Sequence, residues 1–201
     1  MQDNNIISFA DLDTTKRREA VEVFVDGFGH LLSFAKTNAE KVTLFAESFD
    51  ETLVHVYIIN NHVVGVLGLS TNLKRTITID KQLCKELFGK GKGQIIYWLL
   101  RISEETPRVK NDTDLYIDFL ATSSQMRGQG IATKLLNFAC ALPGYHDCYL
   151  DVLSKNIPAI TLYQKLNFVV HKKVFNIFAC IQGIGQPIIM KKCQHGGDSN
   201  K

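Results

Sequence analysis

The sequence predicts a single α/β domain in which one mixed sheet is covered by helices on both faces. Three observations lead there: a helical periodicity in the first 34 residues, a hairpin signal near residue 60, and alternating strand-like and helix-like segments after residue 115. With 201 residues, 45% of them hydrophobic, the chain can bury one substantial core.

Ile6 to Ala10 is a short apolar run, read as a first strand. From Thr14 to Phe34 the apolar residues Ala20, Val21, Phe24, Val25, Phe28, Leu31 and Leu32 recur at three- and four-residue spacing, a helical pattern that Gly27 and Gly29 are expected to break in two. A second amphipathic helix is expected over Ala39 to Phe49. Leu53 to Ile59 and Val63 to Leu69 are β-branched runs joined by Asn60-Asn61-His62, which reads as a hairpin. Thr76 to Ile79 is a short extended piece, Leu83 to Phe88 a helical turn, and Gln94 to Ser103 an apolar helix. The basic Gly89-Lys-Gly91-Lys-Gly93 between them reads as a flexible turn. Leu115 to Ala121 is then a strand, Gly128 to Ala141 a helix, and Cys148 to Val152 a strand. Asn156 to Leu166 is a helix, with Phe168 to Phe178 and Gln186 to Lys192 as closing strands. Residues 1–193 form one domain, and the polar, glycine-rich tail over 194–201 is expected to be disordered.

Composition excludes several classes. The 23 basic and 20 acidic residues leave a formal charge of +3, too mild for nucleic-acid or membrane binding unless the basic residues cluster. They fall in short runs, such as Lys16-Arg17-Arg18 and Lys191-Lys192, which read as solvated faces. Five cysteines without a C-x-x-C pair fit a reducing, cytoplasmic compartment better than a disulfide framework. The N-terminus shows no signal-peptide pattern, and no apolar run is long enough to span a bilayer. The histidines lack metal-ligand spacing, so no metal is expected.

The chemistry concentrates in Leu115-Tyr-Ile-Asp-Phe-Leu-Ala-Thr122-Ser-Ser-Gln125-Met-Arg127-Gly128-Gln-Gly130-Ile-Ala. A strand ends, a polar turn follows, and a helix opens at two glycines. The first turn of a helix offers unpaired N–H groups and partial positive charge, and so attracts anions. Gly128 and Gly130 let a bulky diphosphate approach the backbone, with Arg127 as a fixed charge beside it. Two glycines shaping a tight turn is the plain alternative. A Rossmann fingerprint fails because Thr133 stands where its third glycine belongs. A P-loop at Gly89–Gln94 lacks the preceding strand and the final Ser or Thr.

Gln125-x-x-Gly128-x-Gly130 resembles the Q/R-x-x-G-x-G/A signature of the GNAT superfamily, the Gcn5-related N-acetyltransferases. A second block, Asn156-x-x-Ala159-x-x-x-Tyr163-x-x-Leu166-Asn167-Phe168, is similar to that family's N-x-x-A-x-x-x-Y-x-x-x-G-F. Asn167 replaces its usual glycine, and asparagine tolerates positive φ better than most residues. Pro187 to Lys192 resembles the family's terminal strand. The resemblance covers about residues 115 to 192; the first 114 fit only as a loose pattern. It implies a GNAT fold with a central mixed, mostly antiparallel sheet.

It also implies acetyl-CoA as co-substrate. The backbone of Leu120, Ala121 and Thr122 would pair with the pantetheine arm. Arg127, Gly128, Gln129, Gly130, Ile131 and Ala132 would hold the diphosphate. Asn156 would cap its helix or bond the cofactor arm. Tyr163, which as a helical tyrosine would ordinarily be core filler, would protonate the departing thiolate. The implied reaction is direct acyl transfer to a neutral amine in a ternary complex, without an acetyl-cysteine. A protonated amine must lose a proton first. Asp118, on the same strand face as Tyr116, is either the base, directly or through water, or a structural carboxylate.

The acceptor is expected to be a small-molecule or peptide amine. It would lie between Phe24–Phe49, Ser70–Asp114 and Ile177–Gln186, none of which selects a particular amine. Competing readings are a non-catalytic acyl-CoA-binding domain and a nucleotide or nucleic-acid module built on Lys90 and Lys92. The chain is expected to be a monomer or homodimer.

Overall fold

The computed structural model describes residues 5–105, 108–176, 183 and 185–193. Seven strands form one sheet in the order β1-β2-β3-β4-β5-β7-β6, and every neighbouring pair is antiparallel except β4 with β5. This is a mixed α/β domain with a mostly antiparallel sheet, as the resemblance implied. The expected tail and the end of the strand read to Phe178 lie outside the described residues.

The first half wraps one face. After β1 (Ile6–Ser8), α1 (Thr14–Phe28) is capped by the Asp13 side chain, and α2 (Asn38–Ala46) by a reciprocal Thr37/Glu40 capping box. Gly27 does not break α1. It lies within it, because a Cβ there would come within 2.8 Å of the Ala121 Cβ; the bare backbone lets helix and sheet touch. β2 (Val54–Ile59) and β3 (His62–Ser70) pair around Asn60 and Asn61, whose φ of 49° and 63° are the left-handed pair a two-residue turn requires.

α3 (Lys81–Phe88) and α4 (Lys90–Glu105) follow. The glycine-rich stretch between them is not a flexible turn. Only Gly89, at φ 82°, breaks the helix, and Lys90 already belongs to α4. Gly93 is small for a packing reason: a Cβ would sit 2.2 Å from the Cys84 carbonyl oxygen.

β4 (Asp114–Thr122), α5 (Ile131–Cys140), β5 (Asp147–Leu153), α6 (Ile157–Lys165), β6 (Val169–Lys173) and β7 (Pro187–Cys193) complete the domain. Two cores result, one on each face. Phe24, Phe45, Phe49 and Phe119 centre the first, under α1 to α4. Ile131, Leu135, Leu136, Leu150 and Met190 centre the second, under α5 and α6. Each of these fully buried Leu or Ile side chains contributes about 1.5–3 kcal/mol by leaving water.

Candidate active site

Two irregularities of β4 create the site. Gly68 pairs with Phe119 but Leu69 pairs with Ile117, so Asp118 is an extra residue in a bulge. The bulge reverses the side-chain alternation: Ile117 packs in the second core while Phe119 packs in the first. Parallel pairing with β5 also stops there, at Ile117 with Leu150, although β4 runs on to Thr122 and β5 to Leu153. Past that point the two strands separate, and the backbone edges of residues 118–122 and 151–153 face a gap instead of each other.

A cavity of about 300 Å³ occupies this gap, lined by Asp118 to Thr122, Asp151, Asn156, Tyr163 and, from the α1 side, Phe28, His30 and Leu31. A second cavity of about 700 Å³ continues it over the start of α5, where Arg127, Gly128, Gly130, Ile131 and Ala132 line one wall. Gly27, Thr122, Arg127, Asn156 and Ala159 line both, so the two form one groove.

The α5 end of the groove suits an anion. α1, α2, α3 and α6 each have a side chain accepting from their first-turn amides; Gly130, the N-cap of α5, supplies none. Gly128 and Gly130 both stand at φ 78°, which only glycine adopts cheaply, and no atom lies within 4 Å of where their Cβ atoms would be. Arg127 is half exposed, with Nε donating to the Thr122 carbonyl oxygen at 3.4 Å and a distant 4.0 Å contact to Asp26. Ile131 is buried, so only its backbone can reach a ligand. Gln129 lines neither cavity; its amide contacts the Met126 sulfur at 3.5 Å.

At the other end, α6 begins at Asn156, whose Oδ1 accepts from Ala159 N at 3.3 Å. Asn167 stands at φ 66°, ending the segment where glycine would ordinarily be used. Between them Tyr163 faces the gap. Burial, helped by the negative charge of Asp151, pushes its phenol up to about 12. No described residue bonds its hydroxyl.

The two carboxylates of the gap differ in environment. Asp118 is almost fully enclosed, with 6% side-chain exposure against 10% for its partner Arg75. Arg75 Nη2 donates to Oδ1 at 3.1 Å and Nε to Oδ2 at 3.3 Å. The Thr76 hydroxyl donates to Oδ2 at 2.7 Å, and Ser70 Oγ bonds the same atom. Asp151, which no motif in the sequence singles out, is exposed on β5 just past the split, and Tyr116 donates its hydroxyl to Asp151 Oδ1 at 2.8 Å. Burial first, and Asp151 next, push the Tyr116 phenol far above its ordinary range, so it remains a donor. The tell-tale in the sequence would have been Asp151 alternating with Leu150 and Val152, out of the core.

The model of the acetyltransferase (GNAT) family matches residues 25–168, and the chain belongs to that family. The match reaches further toward the N-terminus than the two motif blocks do. A search of curated proteins finds no match. Among solved structures, an N-acetyltransferase from Staphylococcus aureus Mu50 is similar at 14% identity and TM-score 0.59, over 93% of this chain and 99% of that one. The ribosomal-protein-S18-alanine N-acetyltransferase from Escherichia coli is similar at 15% identity and TM-score 0.57, covering 98% and 97%. A protein described as histone acetyltransferase HPA2 and related acetyltransferase, from Corynebacterium glutamicum, reaches 20% identity and TM-score 0.60, over 94% and 95%. At these identities the likeness is one of fold. Among the described residues no helix is long and apolar enough to cross a membrane, and no cluster of metal-ligating side chains occurs.

Proposed function

We propose that this chain is an N-acetyltransferase that moves the acetyl group of acetyl-CoA directly onto a primary amine of a small molecule or peptide. The observation that carries this reading is the continuity of the groove: the strand split opens at one end onto Tyr163 and at the other onto an uncapped helix start. Unpaired amides at Gly128 to Ala132, with Arg127, would hold the diphosphate, and the free edge of β4 from Leu120 to Thr122 would bond the pantetheine arm as a strand would. The bound thioester supplies an electrophilic carbonyl and a thiolate leaving group.

The residues of this chain would do the rest. A β4 backbone N–H near Leu120 would stabilise the charge that develops on the carbonyl oxygen. Tyr163 would give its proton to the leaving sulfur; a phenol pushed up to about 12 stays protonated at neutral pH and is available to donate. Asp151, held by Tyr116, would draw the ammonium in and take its proton, directly or through water. Asp118 is then a wall of the cleft and not its base, because Arg75, Thr76 and Ser70 occupy its oxygens. Gln129 would contribute only through its backbone.

The test is a screen of amines with acetyl-CoA, following free thiol release and the acetylated product. Intersecting initial-rate patterns are expected for a ternary complex. Coenzyme binding without turnover on any amine would instead favour the non-catalytic acyl-CoA-binding reading.

A further inference from the structure

Beside the groove, the last turn of α1 carries a carboxylate that serves a different element. Asp26 Oδ2 accepts from the backbone N–H of Ser124 at 2.7 Å, across 98 residues of sequence. Ser124 opens the short turn Ser124–Met126 that leads from β4 to the glycine corner. Ser123, at the cap position of that turn, supplies no side-chain bond of its own. The first amide of the turn is therefore satisfied from α1. The same Asp26 oxygen lies 4.0 Å from Arg127 Nη2, an ion-pair contact too long for a hydrogen bond. Gly27, the next residue, lines both cavities, and its close approach to Ala121 sets the end of α1 against β4.

Electrostatics disfavour a carboxylate at this place on two counts. The end of a helix carries partial negative charge and favours cations, and α1 has no basic residue in its last turn. A fixed negative charge beside Arg127 also opposes the diphosphate assigned to that corner. Asp26 therefore destabilises its own helix end; what it stabilises is the corner. The other bonds of the turn are local or come from the sheet backbone. Ser123 N–H donates to the Val64 carbonyl oxygen at 3.0 Å, Met126 N–H to that of Ser123 at 2.9 Å, and Arg127 Nε to that of Thr122. Among the described residues, Asp26 is the one side chain from another element that bonds this turn.

We propose that Asp26 is a positioning residue for coenzyme binding: by bonding the Ser124 amide it holds the turn and Arg127 where they meet the diphosphate. This role rests on the acetyl-CoA reading, and the test separates the two. Coenzyme A is titrated by calorimetry, and pantetheine, which lacks the diphosphate, by NMR shifts. Asp26→Ala should weaken coenzyme A by about tenfold or more, the worth of a hydrogen bond to a charged group, and leave pantetheine unchanged. Asp26→Asn keeps an oxygen for the Ser124 amide and should stay within about threefold of the parent, because an exposed ion contact contributes little. Ser124→Pro removes the donor instead. Proline is accommodated there, at the first position of a helical turn after Ser123, whose ψ is 134°. It should reproduce the loss, and adding Asp26→Ala to it should weaken binding no further. Circular dichroism checks folding, and Ser124→Pro carries the test if Asp26→Ala does not fold. Unchanged coenzyme affinity in Asp26→Ala, equal losses for both ligands, an Asn variant as weak as the Ala one, or additive losses in the double variant would each overturn the role of Asp26 and leave the acetyl-CoA reading standing. No binding of either ligand to the unaltered chain would overturn both.

Discussion

Replacing Asp118 by Asn separates a structural carboxylate from a catalytic one. The substitution keeps the shape of the side chain and removes only its charge, taking the Asp118 carboxylate away from the Arg75 guanidinium at 10% exposure. Breaking one partner of a buried pair costs about 3–5 kcal/mol. For a chain of this length each kcal/mol shifts Tm by about 2–4 °C, so Asp118→Asn should melt roughly 6–20 °C lower. Exchanging both partners for apolar residues, Asp118→Leu with Arg75→Met, should recover part of that loss, because no buried charge remains. Scanning calorimetry gives the melting temperatures. Initial rates measured below the lowered transition, per folded molecule, should keep the same pH dependence as the unaltered enzyme. A variant that melts within about 2 °C of the parent yet has lost its acid-side pH dependence would refute this assignment and make Asp118 the base.

Other substitutions have distinct outcomes. Asp151→Asn should leave Tm nearly unchanged, since the side chain is exposed, while lowering kcat/KM by about 10²–10⁴-fold, the usual worth of a general base; unchanged kinetics would remove it from the mechanism. Tyr163→Phe should lower kcat by a similar factor of about 10²–10⁴ with coenzyme affinity unaltered, and equal losses of binding and turnover would argue for a packing role instead. The raised phenol of Tyr163 has a stability consequence as well. Below pH 10 it is neutral in both folded and unfolded chain; between its ordinary value and about 12 only the unfolded chain ionises, so stability falls as pH rises through that window. Alkaline melts of Tyr163→Phe should be flatter there. Gly27→Ala should cost about 1–3 kcal/mol, because the new methyl meets Ala121 at 2.8 Å and pushes α1 off β4; a melting temperature unmoved by it would contradict the close contact.

Much of this architecture is legible in the sequence because it is local. Asn60-Asn61 between β-branched runs fixes the hairpin, Asn156 three residues before Ala159 fixes the start of α6, and Asn167 closes it, each through backbone angles or a single cap. The α5 corner is legible for the same reason: Gly128 and Gly130 mark the two left-handed residues. What escapes are features created by pairing at a distance. A one-residue bulge at Asp118 leaves no trace in composition, yet it reverses the strand's faces just where pairing with β5 stops. Arg75 and Asp118 are 43 residues apart, so the sequence alone leaves Asp118 looking available as a base. Glycine also misleads where its role is packing. Gly27 and Gly93 look like helix breakers, whereas both lie in helices, where neighbouring backbone or Cβ atoms come too close for a side chain.

The account stands on the coenzyme lying along the β4–β5 split with its diphosphate on the open start of α5. Calorimetric titration of coenzyme A into the unaltered chain and into Gly128→Val tests this most directly. The positive φ of 78° makes the valine strained, and its side chain would fill the place assigned to the diphosphate. Saturable binding to the unaltered chain, weakened at least about tenfold by the valine, corresponding to about 1.4 kcal/mol, is the predicted result. Equal affinity in both, or no heat with either, would contradict it.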